Sequence, residues 1–274
     1  MLKRIITSLV ALCVLLPVLF FADTIVLCIA VAIATLIELF ELLRCMGLHK
    51  KLQIAIPVYL FACASPFLVR YMNSMHAFAL IAFICGGLYL LYLFTNVILS
   101  HGKLPFDNVL AMMVLVVYII AAMSSIVYIH DFGEMGKYIY LLIFIGAWIT
   151  DIFAYFTGML LGKHKLIPDV SPKKTVEGSI GGIVFCSLCF VLFGIVIDTF
   201  FDGNANLIFL AVSGVIVSVI SQVGDLIMSV IKRHYGIKDY GKLFPGHGGM
   251  LDRFDSSLMA IPAAVVYLYT LTLF

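Results

Sequence analysis

Charge is scarce in this chain. Asp, Glu, Lys and Arg make up 12% of the 274 residues, whereas apolar residues make up 64% and the mean hydropathy is +1.16. A soluble domain contains about 45–50% apolar residues, so this composition excludes an ordinary soluble protein. The chain is predicted to be an integral membrane protein, in which each span needs about 20 apolar residues.

Several other signals are missing. The first apolar run follows Lys3 and Arg4, but no small-x-small cleavage site follows it, so we interpret it as a retained helix and not a secretory signal. The seven cysteines are scattered, and the pair Cys186 and Cys189 has no second pair, which argues against a disulfide framework or a zinc site. The apolar runs lack the dyad alternation of a membrane β-barrel, and no soluble domain or internal repeat is evident.

Nine long apolar runs are present, and runs of this length favour helices that satisfy their own backbone hydrogen bonds in lipid. The predicted fold class is therefore all-α, a polytopic membrane protein with about nine transmembrane helices. The predicted spans cover roughly residues 5–21, 24–43, 52–69, 77–99, 109–129, 138–160, 178–197, 207–231 and 257–274.

Lysines and arginines are distributed unevenly between the two sides of these spans. Fifteen of the 17 lie in the N-terminal segment and in the loops after predicted spans 2, 4, 6 and 8, and only Arg70 and Lys137 lie on the other side. Because positively charged loops stay in the cytoplasm, the N-terminus is predicted to be cytoplasmic and the C-terminus outside. The basic side is suited to anionic lipid headgroups or a polyanionic substrate.

Two cytoplasmic loops, residues 162–178 and 232–256, carry much of the polar chemistry. Asp151 and Asp225 lie in the apolar spans that lead into these loops. A charge at such a position costs a few kcal/mol or more and by default marks a functional site, although pairing that only holds helices together is the alternative. A water-filled funnel open to the cytoplasm would reconcile the depth of these acids with their charge.

The acids within the spans differ in their neighbours along the helix and in their distance from the span end. Asp225, Ser229 and Lys232 fall at i, i+4 and i+7, so they share one helix face. Glu38 and Glu41 lie near the cytoplasmic end of the second span, where we expect them to snorkel toward water.

The segment "KDYGKLFPGHGGMLDRFDS", residues 238–256, is polar and rich in turn residues. Pro245 and the three glycines that follow exclude a helix and allow the backbone to approach a ligand closely. Asp252 and Asp255 then fall at i and i+3 on one side of the next helix. Two carboxylates beside a glycine loop and several bases are typical of a site for a hard cation and phosphate, whereas each residue alone also fits an ordinary solvated loop.

The ordered set of residues in this region resembles the signature of the phosphatidate cytidylyltransferases, also called CDP-diacylglycerol synthases. The matching elements are Ser229, Lys232-Arg233, Lys238-Asp239, Pro245, His247-Gly248-Gly249 and Asp252-Arg253-Phe254-Asp255. Residues 151–178 are similar to a second block of that family. The resemblance covers the C-terminal half closely and the N-terminal half only through its hydrophobic character.

The resemblance implies transfer of CMP from CTP to phosphatidic acid, with release of pyrophosphate and formation of CDP-diacylglycerol for phospholipid biosynthesis. The predicted division of the chain is N-terminal transmembrane helices over residues 1–137 and a catalytic transmembrane region over residues 138–274 with the cytoplasmic loops 162–178 and 232–256. The active site is expected to face the cytoplasm, where these loops lie. The expected partners are CTP, phosphatidic acid, the lipid bilayer and a second copy in a homodimer, and no nucleic acid.

The resemblance also implies roles for individual residues. The implied catalytic residues are Asp225, Lys232, Asp252 and Asp255, of which Asp225, Asp252 and Asp255 bind Mg²⁺, with a monovalent cation such as K⁺ as a second expected ion. The implied substrate-binding residues are Ser171, Lys173, Lys174, Thr175, Ser229, Lys238, His247, Gly248, Gly249 and Arg253. Asp151 is a further candidate, and His247 fits a loop-fixing hydrogen bond equally well.

Two other functions stay open at this point. A CTP-dependent lipid or polyprenol kinase would transfer the γ-phosphoryl group to a hydroxyl and release CDP instead of pyrophosphate. A transporter of a phosphorylated anion would also use acids within the membrane and basic loops. Such a transporter is expected to have matched broken helices in two related halves, and the sequence has none.

Overall fold

The computed structural model describes residues 2–72, 75–102, 104–200, 205–246 and 248–271. Within these residues the chain is mainly helical, with one short antiparallel hairpin. In chain order the elements are α1 (Leu2–Phe20), α2 (Ile25–Cys45), α3 (Leu52–Tyr71), α4 (Met75–Leu99), α5 (Phe106–His130), α6 (Gly133–Leu161), β1 (Lys165–Ile167), β2 (Ser171–Thr175), α7 (Val176–Phe200), α8 (Leu207–His234), α9 (Leu251–Phe254) and α10 (Ser257–Leu271).

Each predicted apolar run falls on one of these helices. Seven helices in the described part of the chain are long and apolar enough to cross a membrane, namely Ile25–Cys45, Leu52–Tyr71, His76–Leu99, Phe106–His130, Gly136–Leu161, Val176–Phe200 and Leu207–His234. The chain is therefore an integral, multi-pass membrane protein. The α10 helix has 15 residues, which is about 22 Å at 1.5 Å per residue and shorter than a bilayer core of about 30 Å. The count of nine spans and the orientation of the termini stay predictions.

Large apolar side chains are exposed along the helices, as a lipid environment requires. On α4, for example, Phe83, Leu88 and Ile98 are 80%, 63% and 75% exposed. Contiguous apolar surface of this kind is rare on a soluble monomer, whereas lipid tails solvate it without cost.

The all-α prediction omits the hairpin within residues 162–178. Its two strands are antiparallel, with Lys165 opposite Thr175 and Ile167 opposite Ser171. The sequence of the hairpin does not alternate between apolar and polar residues, because the hairpin is short and lies at the surface. Its strands, KLI and SPKKT, are mostly polar and so give no strand signal. It lies directly before α7 and brings the basic residues of β2 to a defined position.

The described chain divides into two compact units. The first unit comprises Met1–Asp131 together with Asp239–Arg253, and the second comprises Phe132–Lys238 together with Phe254–Phe274. The glycine-rich part of the signature therefore packs with the N-terminal helices. The predicted functional division at residue 137 stays a prediction.

In the first unit, α2, α3 and α5 pack against one another around a buried core. Leu39, Val58 and Ile119 from these three helices are fully or almost fully buried. The Ser124 hydroxyl donates a hydrogen bond of 2.8 Å to the Ser65 hydroxyl within this core. These two hydroxyls are thus paired inside the bundle, where lipid provides no hydrogen-bond partner.

An ion cluster links the loop ends of the first unit. The Arg70 guanidinium donates to both carboxylate oxygens of Asp131, with Nε 2.8 Å from Oδ2 and Nη2 2.7 Å from Oδ1. The same guanidinium donates to the carbonyl oxygens of Ala22 and Thr24, and His130 Nδ1 lies 2.8 Å from Asp131 Oδ1. This bidentate geometry satisfies a buried base and ties α3 to the α1–α2 connection and the end of α5.

In the second unit, glycines allow α6, α7 and α8 to approach closely. A Cβ added at Gly178 would lie 2.6 Å from the Ala154 carbonyl oxygen, and one at Gly182 would lie 2.9 Å from the Thr150 carbonyl oxygen. Small residues at such contacts permit the backbone proximity that stabilises helix pairs in membranes. Gly181 and Gly182 face Thr157 and Thr150 of α6, so both glycines serve the packing of α7 on α6.

Hydrogen bonds also join these three helices. The Thr150 hydroxyl donates to the Ser218 hydroxyl at 2.9 Å, and the Ser179 hydroxyl donates to Gln222 Oε1 at 2.5 Å. Gln222 Nε2 in turn donates to Ser218 Oγ at 3.3 Å. These bonds lie on the face of α8 that continues to Asp225, so that face is polar over several turns.

Candidate active site

Asp225 on α8 is the centre of the first group of site residues. Lys174 Nζ, from β2, lies 2.5 Å from Asp225 Oδ2, and the Ser229 hydroxyl donates to Asp225 Oδ1 at 3.3 Å. The side chains of Lys174 and Asp225 are 25% and 22% exposed. The structure thus brings Asp225, four residues before the signature, into direct contact with Lys174 of the second block, and the Lys174 Nζ atom is buried in this contact.

The hairpin positions Lys174 because its base is anchored to the start of α7. The Glu177 carboxylate accepts hydrogen bonds from the backbone N–H groups of Lys163 and His164, and His164 Nδ1 lies 2.7 Å from Glu177 Oε1. The Val176 N–H donates to the His164 carbonyl oxygen at 3.0 Å. The two ends of the hairpin are therefore closed on each other, which fixes the direction in which β2 presents its side chains.

Thr175, a predicted substrate contact, is buried at the start of α7. Its hydroxyl accepts a hydrogen bond of 3.1 Å from the Gly178 N–H, which is the bond of a helix N-cap. A Cβ at either Gly158 or Gly162 would lie 2.8 Å from the same hydroxyl oxygen. This environment supports a structural role for Thr175, whereas Lys173 on the same strand is exposed and Ser171 is half-buried.

Asp255 is the centre of a second group, at the start of α10. Lys232 Nζ, from α8, lies 3.4 Å from Asp255 Oδ2, and the Ser256 N–H donates to Asp255 Oδ1 at 2.9 Å. The Ser256 hydroxyl donates to Asp151 Oδ2 at 3.1 Å. The sequence candidate Asp151 is therefore connected to the Asp255 group through the residue next to Asp255. Lys232 and Asp255 are both buried, whereas Asp151 is exposed.

Gly224 allows the backbone of α8, which carries Asp225, to lie close to the backbone at Asp255. A Cβ at this position would lie 3.0 Å from the Asp255 carbonyl oxygen and 2.9 Å from Met259 Cβ. Any larger residue would push α10 away from α8 at the residue just before Asp225. The glycine thus sets the separation between the backbones that carry Asp225 and Asp255.

The donors of the second unit fit a magnesium ion in chemical type. Asp225, Ser229 and Asp255 supply only oxygen atoms, which hard cations prefer. Among the described residues, no three His, Cys, Asp or Glu side chains are grouped as a metal site. Mg²⁺ in enzymes that bind nucleotides commonly takes one or two carboxylates and completes its shell with water and substrate phosphates.

Asp252, in the first unit, is held by backbone amides. Its Oδ2 accepts hydrogen bonds from the Tyr240 N–H at 2.8 Å and the Gly249 N–H at 2.9 Å, and the residue is buried. Gly248 has φ +89°, and a Cβ there would lie 2.8 Å from Asp252 Oδ2. Gly248 is therefore needed both for its backbone conformation and for the space beside the carboxylate.

Glu41 and Arg44 of α2 also contact this glycine loop, and sequence reasoning missed them. The Leu251 N–H donates to Glu41 Oε2 at 2.9 Å, and Arg44 Nη2 donates to the Tyr240 carbonyl oxygen at 2.6 Å. Glu41 and Glu38 are 4% and 0% exposed, so the expectation that they snorkel to water is wrong. The rule that drew attention to the other acids within spans would also have found Glu41.

The remaining predicted site residues have less defined surroundings. Lys238 and Arg253 are exposed, so each is accessible to an anionic ligand. Asp239 is exposed as well. His247 lies outside the described residues, and its predicted role is unchanged.

The fold and these groups define a class of protein, a polytopic membrane protein with aspartates and lysines paired near the ends of its spans. The chain matches the sequence model of the Cytidylyltransferase family over residues 2–271, and it therefore belongs to that family. This match includes the N-terminal half, which the signature alone does not reach.

Individual relatives agree with the family. The phosphatidate cytidylyltransferase of Staphylococcus haemolyticus (strain JCSC1435) is 34% identical over 265 residues, which cover 94% of this chain and 95% of the relative. The phosphatidate cytidylyltransferase of Staphylococcus aureus (strain COL) is 35% identical over 268 residues, with 94% and 95% covered. The resemblance inferred from the signature is confirmed.

Proposed function

We propose that this chain transfers CMP from CTP to phosphatidate and forms CDP-diacylglycerol and pyrophosphate. The observation that carries the proposal is similarity over 94% of the chain to proteins named phosphatidate cytidylyltransferase. The lysine and aspartate groups at Asp225 and Asp255 support it, because they supply the charges that such a reaction between anions needs.

The reaction joins two polyanions. An oxygen of the phosphatidate phosphate attacks the α-phosphorus of CTP, a new P–O bond forms, and the bond from the α-phosphorus to the bridging oxygen breaks. Pyrophosphate leaves with the electron pair of that bond. Catalysis of this step depends on positioning and on neutralisation of charge more than on a covalent nucleophile of the protein.

Lys174 and Lys232 are suited to bind phosphate oxygens. Lys174 is in contact with Asp225 and Lys232 with Asp255, so each ammonium group is held next to a carboxylate that the proposal assigns to the metal. Charge-assisted hydrogen bonds from ammonium groups to phosphate are among the stronger polar contacts in proteins. We assign the exposed Lys173, Lys238 and Arg253 to the approach of the triphosphate or the lipid phosphate.

We assign Mg²⁺ to Asp225 and Asp255, with Ser229 as a further oxygen donor. Asp252, three residues before Asp255 in the sequence, is proposed as the third carboxylate on the family signature. When bound, Mg²⁺ would neutralise charge on the triphosphate and stabilise the leaving pyrophosphate. A monovalent cation such as K⁺ is a second proposed ion.

The proposed orientation places the active site at the cytoplasmic face, with nine spans, a cytoplasmic N-terminus and the C-terminus outside. The distribution of 15 of the 17 lysines and arginines on one side supports it. A reporter after Phe274 is expected outside and one inserted beside Lys173 inside. Both reporters on the same side would contradict this orientation. A homodimer is proposed from the family resemblance.

The function is tested with purified protein in detergent, phosphatidate, Mg²⁺ and CTP labelled at either the α- or the γ-phosphorus. Label at the α-phosphorus is expected in the lipid, and label at the γ-phosphorus is expected in pyrophosphate. Label from the γ-phosphorus in the lipid, with release of CDP, would identify a kinase instead. EDTA is expected to abolish turnover and added Mg²⁺ to restore it.

A further inference from the structure

The carboxylate of Glu41 lies inside the glycine loop that carries Asp252. Its Oε2 accepts the hydrogen bond from the Leu251 N–H at 2.9 Å. A Cβ added at Gly241 would clash with Glu41 Oε1, and a Cβ added at Gly249 would clash with both carboxylate oxygens. The loop closes directly on the α2 carboxylate, and these two positions are glycine because the carboxylate occupies the space of a side chain.

Glu41 and Arg44 reach Asp252 through the backbone of this loop. Arg44 Nη2 holds the Tyr240 carbonyl oxygen at 2.6 Å, and the N–H of Tyr240 donates to Asp252 Oδ2 at 2.8 Å. Glu41 holds the N–H of Leu251, the residue just before Asp252. One contact therefore acts on Tyr240, whose N–H donates to Asp252, and the other acts on Leu251, which precedes Asp252 in the chain.

A buried acid in a membrane-spanning helix needs such compensation, since an unpaired charge there is costly. Glu38, one turn earlier on α2, is fully buried, and neither of its carboxylate oxygens has a hydrogen-bond partner within the described chain. Of these two acids of α2, Glu41 is the one that contacts the loop, and Glu38 provides a matched comparison.

We propose that Glu41, together with Arg44, is a positioning residue that orders the loop residues 240–246 and 248–250 and the start of α9, and thereby holds the Asp252 carboxylate in place. The inference rests on the proposed function, in which Asp252 binds the catalytic Mg²⁺. It assigns to the N-terminal helices a direct part in ordering the signature loop.

The experiment compares Glu41→Ala and Glu41→Gln with Glu38→Gln in the full-length protein. Turnover is measured over a range of Mg²⁺ concentrations, and backbone hydrogen exchange of the loop is measured without substrates. Loss of a buried hydrogen bond to a charged group corresponds to about 10- to 100-fold. We expect Glu41→Ala to lower kcat by about that factor, to raise the Mg²⁺ concentration for half-maximal activity and to speed exchange at Leu251.

The two glutamine variants sharpen this expectation. Glu41→Gln retains an oxygen that accepts the Leu251 hydrogen bond, so it is expected to lose less activity than Glu41→Ala. Neither Glu38 oxygen has a hydrogen-bond partner within the described chain, so Glu38→Gln removes no hydrogen bond from the loop. It is expected to leave both the Mg²⁺ dependence and the exchange of the loop unchanged. An equal shift in Glu38→Gln would overturn the proposal, because the effect would then not come from the loop contact.

Gly249→Ala provides a second test that does not depend on deleting the acid. Gly249 does not have a positive φ, and the three atoms nearest to its added Cβ all belong to Glu41. Gly249→Ala alone is therefore expected to displace the carboxylate and reduce activity. In a Glu41→Ala background the same change is expected to cost little more. If the two losses multiply instead, the contact does not couple these residues.

The contact between Glu41 and the loop and the proposed function of the protein can be contradicted separately. If exchange of the loop is unchanged in Glu41→Ala, Glu41 does not order the loop, whatever the reaction is. If exchange rises and the protein melts earlier, but the Mg²⁺ dependence per folded enzyme is unchanged, Glu41 is merely structural. If the wild-type protein forms no CDP-diacylglycerol, the proposed function itself is wrong, and the exchange data still decide the loop contact.

Discussion

The aspartates of the two units are held in different ways. In the second unit, Asp225 and Asp255 each contact a lysine, at 2.5 Å and 3.4 Å. In the first unit, Asp252 accepts two backbone N–H groups on a single oxygen, within a loop that encloses the Glu41 carboxylate. The ammonium group of a lysine is on a flexible side chain and can move to another anion. A backbone N–H group is fixed by the fold and therefore holds a carboxylate in one position.

On the proposed function, this difference predicts two different tasks for the aspartates. Carboxylates paired with lysines can exchange that partner for a cation while the lysine moves to a phosphate, because both groups sit on flexible side chains. A carboxylate held by the backbone depends on the fold of its loop for its position. Substitutions at the two kinds of aspartate are therefore expected to differ in their effects on activity and stability.

Asp252→Asn is expected to have the largest effect on activity. Both backbone hydrogen bonds fall on Oδ2, so the carbonyl oxygen of asparagine preserves them, and thermal unfolding is expected to stay near wild type. Loss of the anionic ligand is expected to reduce turnover by about 10²–10³ or more. The exposed Asp239→Asn is the control and is expected to lose less. Near-normal CMP transfer by Asp252→Asn at saturating Mg²⁺ would contradict the role of this carboxylate.

A double-mutant cycle of Lys174→Met and Asp225→Asn tests whether the lysine and the aspartate that it contacts act together. A charge-assisted contact is worth about 1.5–3 kcal/mol, so Lys174→Met is expected to lower kcat/KM by about 10- to 100-fold. Because the two side chains contact each other, the double variant is expected to lose less than the product of the two single losses. Measured losses that multiply would show that Lys174 and Asp225 act independently. Lys173→Met on the same strand is the comparison and is expected to lose less, because the exposed Lys173 is assigned only to the approach of the substrates.

Gly224→Ala tests the spacing between α8 and α10. The added Cβ meets the Asp255 carbonyl oxygen and Met259 at 3.0 Å or less, and overpacking of this kind costs about 1–3 kcal/mol. Gly87→Ala on α4 is the control, since a Cβ there meets nothing within 4 Å. Thermal unfolding in detergent is expected to shift for the first variant only. Equal melting of the two would show that α8 and α10 do not need this glycine.

Arg70→Gln, which removes the ion pair between Arg70 and Asp131, is expected to have the smallest effect, and only on stability. Burial acts to raise the pKa of Asp131, but hydrogen bonds from His130 and Arg70 outweigh it and lower that pKa. A lowered pKa contributes stability above the unfolded value of about 3.9, and this contribution is lost as the pH falls through the folded value. Because the Asp131 side chain is 34% exposed, solvent screening limits the loss in Arg70→Gln to about 1 kcal/mol.

Activity of Arg70→Gln per folded molecule is expected to equal that of the wild type, since neither residue belongs to the proposed site. The measurement pairs thermal unfolding at neutral pH and at a pH below the unfolded value of about 3.9 with turnover at neutral pH. A difference in stability between variant and wild type that grows as the pH falls would contradict the assigned sign.

Local pattern determined much of this protein. Apolar runs predicted each long helix, because a membrane span must be continuous and nearly uncharged. Helical spacing placed Asp225 and Ser229 on one face of α8, and the Ser229 hydroxyl does reach that carboxylate. The order of residues from Ser229 to Asp255 identified the family, since a long motif of fixed spacing is read directly from the chain.

Tertiary structure alone decided which partners these residues have. Spacing along the chain did not reveal that Lys174, and not Lys173, contacts Asp225, or that Thr175 caps α7 beside Gly158 and Gly162. Nor did it reveal that Glu41, some 200 residues before the loop, accepts the Leu251 hydrogen bond and excludes side chains at two glycines. Helix periodicity is a local property, whereas partners across helices follow from how distant segments pack, which a single sequence does not encode in any short pattern.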